Sequence, residues 1–377
     1  MNWMLIRLVR TALNLAMAAA LLSVMLVPTA WSWSDHASLV WPLLRSQPEL
    51  TSQPGAAEPL DAFLIAEQEG IARQFRVRLP AGYSTDQAYP LIVLFHGWGG
   101  DESEFLNNAT VQSESDQRGY VLVAPLGLGR EESGNRFSSW SFQGSTTGLD
   151  GDGLNAAVSD DTDAICDDDM TANYTYPSCE GIAENGCSWT QCSVDDVAFS
   201  AALVQEGSAN VCIDSERVYA VGGSNGGMFV WDLGRDAQSA EVFTAVAPIL
   251  GLPHRGYLDP PISEGGMPVI SITGSRDRTV PPGDWEQESF TTTSDGDVYY
   301  YSSASAITKV WAESQGCDTT VPAESIDVGS SSMECRGWSY CQSDSQWPPV
   351  LDCRGDMGHR YNLSSSWPLI LDFFEQL

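Results

Sequence analysis

The chain has 377 residues, of which 43% are hydrophobic and 18% charged, and its 50 acidic and 18 basic residues give a formal net charge of −32. This composition is typical of a globular protein and excludes extensive disorder. A surface this acidic repels nucleic acid and anionic membranes, so we expect neither as a partner.

The N-terminal part holds a predicted leader and a linker. Arg7 and Arg10 precede an apolar run over 11–27, and small residues follow around position 30. That order is typical of a secretory signal peptide, which we assign to 1–32. An uncleaved anchor is the second interpretation, since the run falls short of the ~20 residues of a spanning helix. Residues 33–60 are polar and interrupted by proline, as in a linker. We expect a secreted protein, extracellular or periplasmic, without stable membrane association once the leader is removed.

From position 61 to 377 the pattern predicts one domain of alternating strands and helices. Alternating apolar and polar residues at 73–79 predict a half-buried strand, and continuous apolar runs at 91–95, 120–124, 218–221 and 269–273 predict fully buried strands. Helix-like stretches lie at 195–206 and 367–377. This alternation predicts an α/β fold, with a mainly parallel sheet and helices on both faces.

The segment 130–192 interrupts this alternation. It is rich in Gly, Ser, Asp and Thr, has no clear period and carries four cysteines. A loop of this length inside a compact domain is functional, tied by disulfides, or both. Its acidic groups at 150–153, 160–163 and 167–169 can hold calcium, but they lack EF-hand spacing. We favour a solvated acidic loop.

The nine cysteines fall into two groups, at 166, 179, 187, 192 and 212 and at 317, 335, 341 and 353. They suit disulfides formed in an oxidising compartment. A zinc site is the competing interpretation, yet CxxC pairs and neighbouring histidines are missing. We expect four disulfides, each within one group, and one free thiol.

The sharpest local signal is the sequence GGSNGG at 222–227, which follows the predicted strand at 218–221 and precedes an apolar stretch. A GxSxG motif between a strand and a helix is the nucleophile elbow of α/β-hydrolases. Its glycines permit a sharp, strained turn at Ser224. A glycine-rich turn with a chance serine is the alternative, and the flanking elements favour the elbow.

A serine nucleophile needs a base, and in this fold the chain order is serine, acid, histidine. The chain has four histidines: His36 lies in the linker, His96 precedes the serine, and His254 precedes the strand at 269–273. His359 remains as the base, with a surface histidine as the alternative interpretation.

The acid is expected just beyond a strand end between Ser224 and His359. Asp277 follows the strand at 269–273, and Asp284 and Glu286 are the fallback candidates. Its role would be to accept a hydrogen bond from the imidazole and to stabilise the imidazolium.

An acyl-transfer site also needs hydrogen-bond donors for the oxyanion. The main-chain N–H of Asn225, directly after the serine, is one expected donor. The second is expected from the turn HGWGG at 96–100, at Trp98. A simple glycine-rich loop is the alternative for that turn.

Several segments resemble the extracellular esterase group of polyhydroxybutyrate depolymerases, feruloyl esterases and acetylxylan esterases. They are 70–100, 194–199 and 217–228, with SNGGM as the most specific piece. The resemblance implies an α/β-hydrolase fold, a triad of Ser224, Asp277 and His359, and no cofactor. It implies an ester of a plant polysaccharide, or a polyester, as substrate. The motif GHRYN at 358–362 lacks the tryptophan and proline that often follow the histidine in that group, and the insertion at 130–192 is unusual.

Three tryptophans, Trp98, Trp140 and Trp189, are candidates for stacking on an aromatic acyl group or a sugar, with core packing as the alternative. Together these features predict a secreted serine esterase that needs neither metal nor organic cofactor. A peptidase on the same fold and a catalytically silent carbohydrate- or polyester-binding protein are the other interpretations.

Overall fold

The computed structural model describes residues 61–68, 71–129, 137–147, 158–159, 176–179, 190–192, 194–236, 239–255, 257, 266–287, 290–292, 299–329, 331–341 and 345–377. All of them belong to one compact unit, Gln53–Leu377. The predicted leader, the predicted linker and the acidic groups considered for calcium lie outside the described residues.

Strands and helices follow one another along the described chain. The strands are β1 (Asp61–Gln68), β2 (Ile71–Arg78), β3 (Tyr89–Phe95), β4 (Val121–Pro125), β5 (Thr146–Thr147), β6 (Val158–Ser159), β7 (Ile213–Gly223), β8 (Ala245–Ile249), β9 (Val269–Gly274), β10 (Phe290–Thr292), β11 (Tyr300–Ser302), β12 (Glu324–Ile326), β13 (Glu334–Gly337) and β14 (Val350–Gly355). The helices are α1 (Ser103–Leu106), α2 (Ala109–Arg118), α3 (Asp196–Asn210), α4 (Asn225–Arg235), α5 (Ala304–Ser314) and α6 (Leu363–Phe374).

One ten-stranded sheet forms the centre, in the order β1-β2-β4-β3-β7-β8-β9-β14-β13-β12. The six strands from β4 to β14 in this order run parallel. The strands at each edge are antiparallel to their neighbours. Parallel neighbours need crossover connections, and helices lie in three of them: α1 and α2 between β3 and β4, α4 between β7 and β8, and α5 between β9 and β14. The chain therefore has the predicted α/β-hydrolase fold.

Helices cover both faces of the sheet, as predicted. Phe199 of α3, Trp231 of α4 and Trp311 of α5 share one buried cluster with side chains of the sheet. Val111 of α2 and Trp367 of α6 belong to the cluster on the other face. The central strands β3, β4, β8 and β9 are buried along their whole length, which explains why their sequences are mainly apolar.

Short polar side chains begin three of the helices. Asn108 accepts hydrogen bonds from two N–H groups of the first turn of α2. Asp195 accepts from the N–H of Ala198 in α3, and Ser303 does so for α5. These caps satisfy main-chain donors that have no partner inside the helix. The helix predicted at 195–206 thus begins one residue later, after its cap, and extends further, to Asn210.

Three disulfides link described cysteines, and each lies within one of the two predicted groups: Cys179–Cys192, Cys317–Cys341 and Cys335–Cys353. The last joins directly paired positions of β13 and β14. Cys212 is free and half-buried. Cys166 and Cys187 lie outside the described residues, so the fourth disulfide stays a prediction.

Within the part of the chain that the structure describes, no helix has both the length and the apolar character needed to cross a bilayer.

Candidate active site

Ser224 lies at the tight turn between β7 and α4. Its main chain has φ 50° and ψ −116°, a strained conformation for a residue with a side chain. A Cβ added at Gly222 would lie 2.1 Å from the main-chain oxygen of Gly226, and one added at Gly226 would lie 2.2 Å from that of Phe95. Only glycine fits these two positions, which explains the GxSxG spacing.

Ser224, His359 and Asp277 form a continuous chain of hydrogen bonds. The Ser224 hydroxyl lies 2.9 Å from His359 Nε2, and His359 Nδ1 lies 2.7 Å from Asp277 Oδ2. With Nε2 accepting from the serine, the ring proton is on Nδ1 and is donated to the carboxylate. The other oxygen of Asp277 accepts the N–H groups of Thr279 and Val280, at 2.9 and 3.0 Å.

The sheet explains why these three residues meet. Ser224 follows β7, Asp277 follows β9, and His359 follows β14, and these strands are parallel members of one sheet. Carboxyl ends of parallel strands lie at one edge, which is where sites of open α/β sheets form. The Asp277 side chain is 0% exposed and that of His359 is 25% exposed. A buried acid behind a partly accessible base is an arrangement suited to proton transfer at the serine.

The fallback acids occupy other places. Asp284 and Glu286 are both exposed. The main-chain N–H of Glu286 bonds the hydroxyl of Ser305, and Glu286 lines a cavity whose walls include no member of the hydrogen-bonded chain at Ser224. Of the three acids considered, Asp277 is the one whose carboxylate bonds His359.

Two main-chain segments border Ser224 where an oxyanion would form. Asn225 is the first residue of α4, and the first N–H groups of a helix have no acceptor within the helix. A Cβ added at Gly97 would lie 3.4 Å from Ser224 Cβ, so the turn at 96–100 packs directly against the serine. Trp98, in that turn, is half-buried, and its ring stacks on Phe137 with centroids 4.6 Å apart.

Trp140 does not fit the substrate-stacking role predicted for it. Its side chain is 0% exposed and packs edge-on against Phe95. Its indole N–H donates to the main-chain oxygen of His96 at 2.9 Å, and its main-chain N–H donates to Asn225 Oδ1 at 2.8 Å. A ring without exposed surface cannot stack on a ligand, so this prediction is corrected. Trp189 lies outside the described residues.

Buried acids anchor the described chain next to Trp140. Asp196 accepts the N–H of Ser141 at 2.6 Å and pairs with the buried Arg73. Asp232 accepts the N–H of Gln143 at 3.1 Å. Burial raises the pKa of Asp232 above its ordinary value. This part of the predicted insertion, 137–147, is therefore fixed to the core beside the serine.

His96 is the first residue of the turn at 96–100, and it is buried. Its Nε2 accepts the main-chain N–H of Gly127 at 2.9 Å, so Nδ1 carries the proton and donates to the oxygen of Gly97 at 2.7 Å. Burial lowers the pKa of His96 to about 4, although the bond to Gly97 opposes that shift. The imidazole is neutral near pH 7 and links two loops.

Sequence reasoning missed two further residues at the site, Glu104 and Tyr361. The Glu104 carboxylate accepts the N–H of Gly97 and the hydroxyl of Tyr361. The departure from the group's motif after His359 is the only signal of Tyr361 in the sequence, and Glu104 resembles any acid in an acidic chain.

Among the described residues, no group of three or more His, Cys, Asp or Glu side chains converges as metal ligands do. The polar groups around Ser224 are arranged as hydrogen-bond partners of one another.

No family model and no curated protein sequence matches the chain. It is similar in structure to an acetyl xylan esterase from Aspergillus awamori, with 14% identity and a TM-score of 0.48, over 81% of this chain and 94% of that chain. A ferulic acid esterase from Anaeromyces mucronatus has 13% identity and a TM-score of 0.36, over 61% of this chain and 78% of that one. Esterase 2 of Thermogutta terrifontis, phosphonylated by sarin, has 15% identity and a TM-score of 0.36, over 61% and 78%.

Proposed function

We propose that the chain is a secreted serine esterase that hydrolyses carboxylic esters through an acyl-enzyme. The observation that carries the proposal is the hydrogen-bonded chain from Ser224 Oγ through His359 to Asp277, at 2.9 and 2.7 Å. These distances lie within the range expected of a nucleophile and its base. The strained turn between β7 and α4 supports the same role, since the serine nucleophile of α/β-hydrolases sits on a turn of this kind.

The reaction begins with attack of Ser224 Oγ on the ester carbonyl carbon while His359 Nε2 takes the hydroxyl proton. The carbonyl π electrons move to oxygen and form a tetrahedral oxyanion. When they return, the bond to the alkoxy oxygen breaks, and the imidazolium gives its proton to that leaving oxygen. A water molecule then repeats both steps on the acyl-enzyme and releases the acid. Asp277 keeps the ring in the useful tautomer and stabilises the imidazolium.

The oxyanion would be bound by two main-chain N–H groups, those of Asn225 and Trp98. Asn225 lies at the N-terminus of α4, where the helix dipole also favours negative charge. Donors aimed at the oxyanion contribute about 3 to 4 kcal/mol each in known enzymes. No metal or organic cofactor is required by this scheme.

We propose an ester of plant polysaccharide, feruloyl or acetyl-xylan, or a polyhydroxyalkanoate, as the substrate. The sequence segments that resemble the esterase group support this choice, above all SNGGM at 224–228. Trp98 is partly exposed in the turn that packs against the serine, so its ring is a proposed contact for an aromatic acyl group or a sugar. The leader pattern and the disulfides support secretion.

A fluorophosphonate probe tests the proposal. Wild-type protein should be labelled and should hydrolyse short p-nitrophenyl esters, and both activities should disappear in Ser224→Ala without a change in thermal unfolding. Methyl ferulate, acetylated xylan and polyhydroxybutyrate then discriminate the substrate classes. Labelling with turnover of peptide amides alone would indicate a peptidase, and a wild-type protein that resists the probe would indicate a silent binding protein.

The acid is tested separately. Asp277→Asn should lower kcat on the order of 10⁴-fold, as in a known serine hydrolase triad, because the amide favours the wrong tautomer of the histidine. Asp284→Asn and Glu286→Gln are matched controls that remove an exposed carboxylate from the same loop, and they should retain wild-type rates. A near-normal rate in Asp277→Asn would refute the assignment.

A further inference from the structure

Glu104 is a partly buried acid next to the turn at 96–100, the oxyanion turn, which contains the proposed donor Trp98. It belongs to α1, the short helix that follows the turn at 96–100. Its two carboxylate oxygens lie 3.1 and 3.2 Å from the main-chain nitrogen of Gly97, whose N–H they accept. Gly97 immediately precedes Trp98, so this carboxylate bonds the peptide chain one residue before the proposed oxyanion donor.

The same carboxylate reaches the loop of the proposed base. Tyr361, two residues after His359, donates its hydroxyl to Glu104. Its ring stacks on Phe105, with ring planes 5° apart and centroids 5.5 Å apart. Burial raises the pKa of the Tyr361 hydroxyl well above its ordinary value, so the group stays protonated and remains a donor. Glu104 therefore connects the turn at 96–100 with the loop that carries His359.

Three glycines make room for this pair. A Cβ added at Gly97 would lie 2.7 Å from the Tyr361 hydroxyl, and one added at Gly223 would lie 2.4 Å from Tyr361 Cζ. At Gly100 it would lie 2.1 Å from Glu104 Oε2. Real Cβ atoms do not approach other atoms this closely, so a side chain at any of the three would displace the pair. Gly223 adjoins Ser224, which extends the contact to the elbow itself.

From this geometry we infer that Glu104 is a positioning residue, which through Gly97 and Tyr361 holds the oxyanion turn in register with the His359 loop. The inference rests on the proposed function. The alignment of donor and base with the nucleophile determines the rate, because a misplacement of about 1 Å can cost on the order of 100-fold in rate. The hydrogen bonds of Glu104 go to Gly97 and Tyr361, so its proposed effect is exerted through the two loops that carry them.

The hydrogen bonds of Glu104 are set against a cost of burial. Burial raises the pKa of its carboxyl, while the bonds from Gly97 and Tyr361 and the nearby His359 lower it, and Asp101 raises it further. Burying a carboxylate costs free energy, which its hydrogen bonds to the two loops offset. Glu104 therefore connects these loops, as an exposed acid on the surface of this chain does not.

Three variants test the inference on a p-nitrophenyl ester. Glu104→Ala should lower kcat at least tenfold with KM changed less than threefold, because both loops lose their anchor while the ester-binding surface stays. Glu104→Gln should stay within threefold of wild type, since its amide can accept from Gly97 and donate to the Tyr361 oxygen. Glu102→Ala is the matched control: Glu102 bonds Gln74 instead, at 2.6 Å, and its removal should leave kcat unchanged.

A double variant separates coupling from independent damage. Tyr361→Phe should lower kcat at least threefold, and Glu104→Ala/Tyr361→Phe should be no slower than Glu104→Ala alone, since both changes break one connection. If the fold-losses in kcat of the two single variants multiply in the double variant, the inference is overturned. A Glu104→Ala rate within twofold of wild type would also overturn it. So would a Glu104→Gln rate as low as that of Glu104→Ala. If Glu104→Ala fails to fold, Tyr361→Phe decides, and a wild-type rate there overturns the inference.

Wild type and Ser224→Ala are measured in the same series. A wild type that neither hydrolyses the ester nor reacts with fluorophosphonate would contradict the proposed function. An active wild type with an equally active Glu104→Ala would contradict the inference about Glu104 and leave the proposed function standing.

Discussion

The buried His96 predicts a loss of stability in acid that one substitution should remove. The residue is 1% exposed, and its Nε2 accepts the N–H of Gly127. Protonation of that nitrogen would turn the acceptor into a donor facing another donor. The folded protein therefore resists protonation, and burial lowers the pKa of His96 to about 4 from an ordinary value of 6.5.

The sign follows from proton uptake. Between pH 6.5 and about 4, the unfolded chain binds a proton at His96 and the folded chain does not, so stability falls as the pH is lowered through this window. At about 1.36 kcal/mol per pH unit, the whole difference amounts to about 3 kcal/mol. About 2 kcal/mol of this should appear between pH 7 and pH 5.

Urea unfolding of wild type and His96→Gln at pH 7 and pH 5, at fixed ionic strength, measures the effect. Glutamine offers one acceptor and one donor group and does not titrate. Between pH 7 and pH 5, the free energy of unfolding of His96→Gln should therefore fall by about 2 kcal/mol less than that of wild type. His254, whose pKa burial lowers to about 3, contributes equally to both proteins and cancels. Protonation of surface carboxylates between pH 7 and pH 5 affects wild type and His96→Gln equally, so it also cancels in the comparison. Equal pH dependence in the two proteins would refute the argument.

Three further predictions concern packing and covalent links. Gly226→Ala should abolish activity and lower the thermal unfolding midpoint, because the added carbon would lie 2.2 Å from a main-chain oxygen of β3; wild-type behaviour would contradict the elbow geometry. Trp140→Phe should lower the free energy of unfolding in urea by about 1 to 3 kcal/mol, since the buried oxygen of His96 loses its donor. An unchanged midpoint would argue against that bond. The double variant Cys335→Ala/Cys353→Ala should lose about 3 kcal/mol by the same assay, as expected of a loop with a sequence separation of 18. A loss below about 1 kcal/mol would exclude this estimate.

The parts of the fold that the sequence predicted are those with strong local patterns. β3 is buried along its whole length and has a continuous apolar run, and the equally buried β9 is apolar apart from the small residues Ser271, Thr273 and Gly274. The short edge strands β12 and β13 have mixed burial and contain Glu324 and Glu334, so no period revealed them. β13 pairs with the free edge of β14, and β12 pairs with β13. That edge exists only once the rest of the sheet has formed, so the local sequence of β12 and β13 does not predict them.

The three residues of the hydrogen-bonded chain were predictable because each lies within four residues of a strand end, in the chain order serine, acid, histidine that α/β-hydrolases share. Trp140 was misinterpreted because a tryptophan in a glycine- and serine-rich segment has no local pattern that indicates burial. Its partner Asn225 lies 85 positions away. The Glu104 and Tyr361 contact likewise depends on the sheet, which brings α1 and the loop after β14 together only in the folded chain.

The order of strands in the sheet also determines when reactivity can arise during synthesis. Ser224 and His359 are 135 positions apart, and β14, which carries the histidine loop, pairs with β9. A ribosome adding ~5–20 residues per second needs roughly 7 to 27 s to cross that distance. Until then a nascent chain has the elbow sequence without His359, the proposed base. Reactivity towards fluorophosphonate should therefore begin only once β14 and the loop that carries His359 have been synthesised and have joined the sheet.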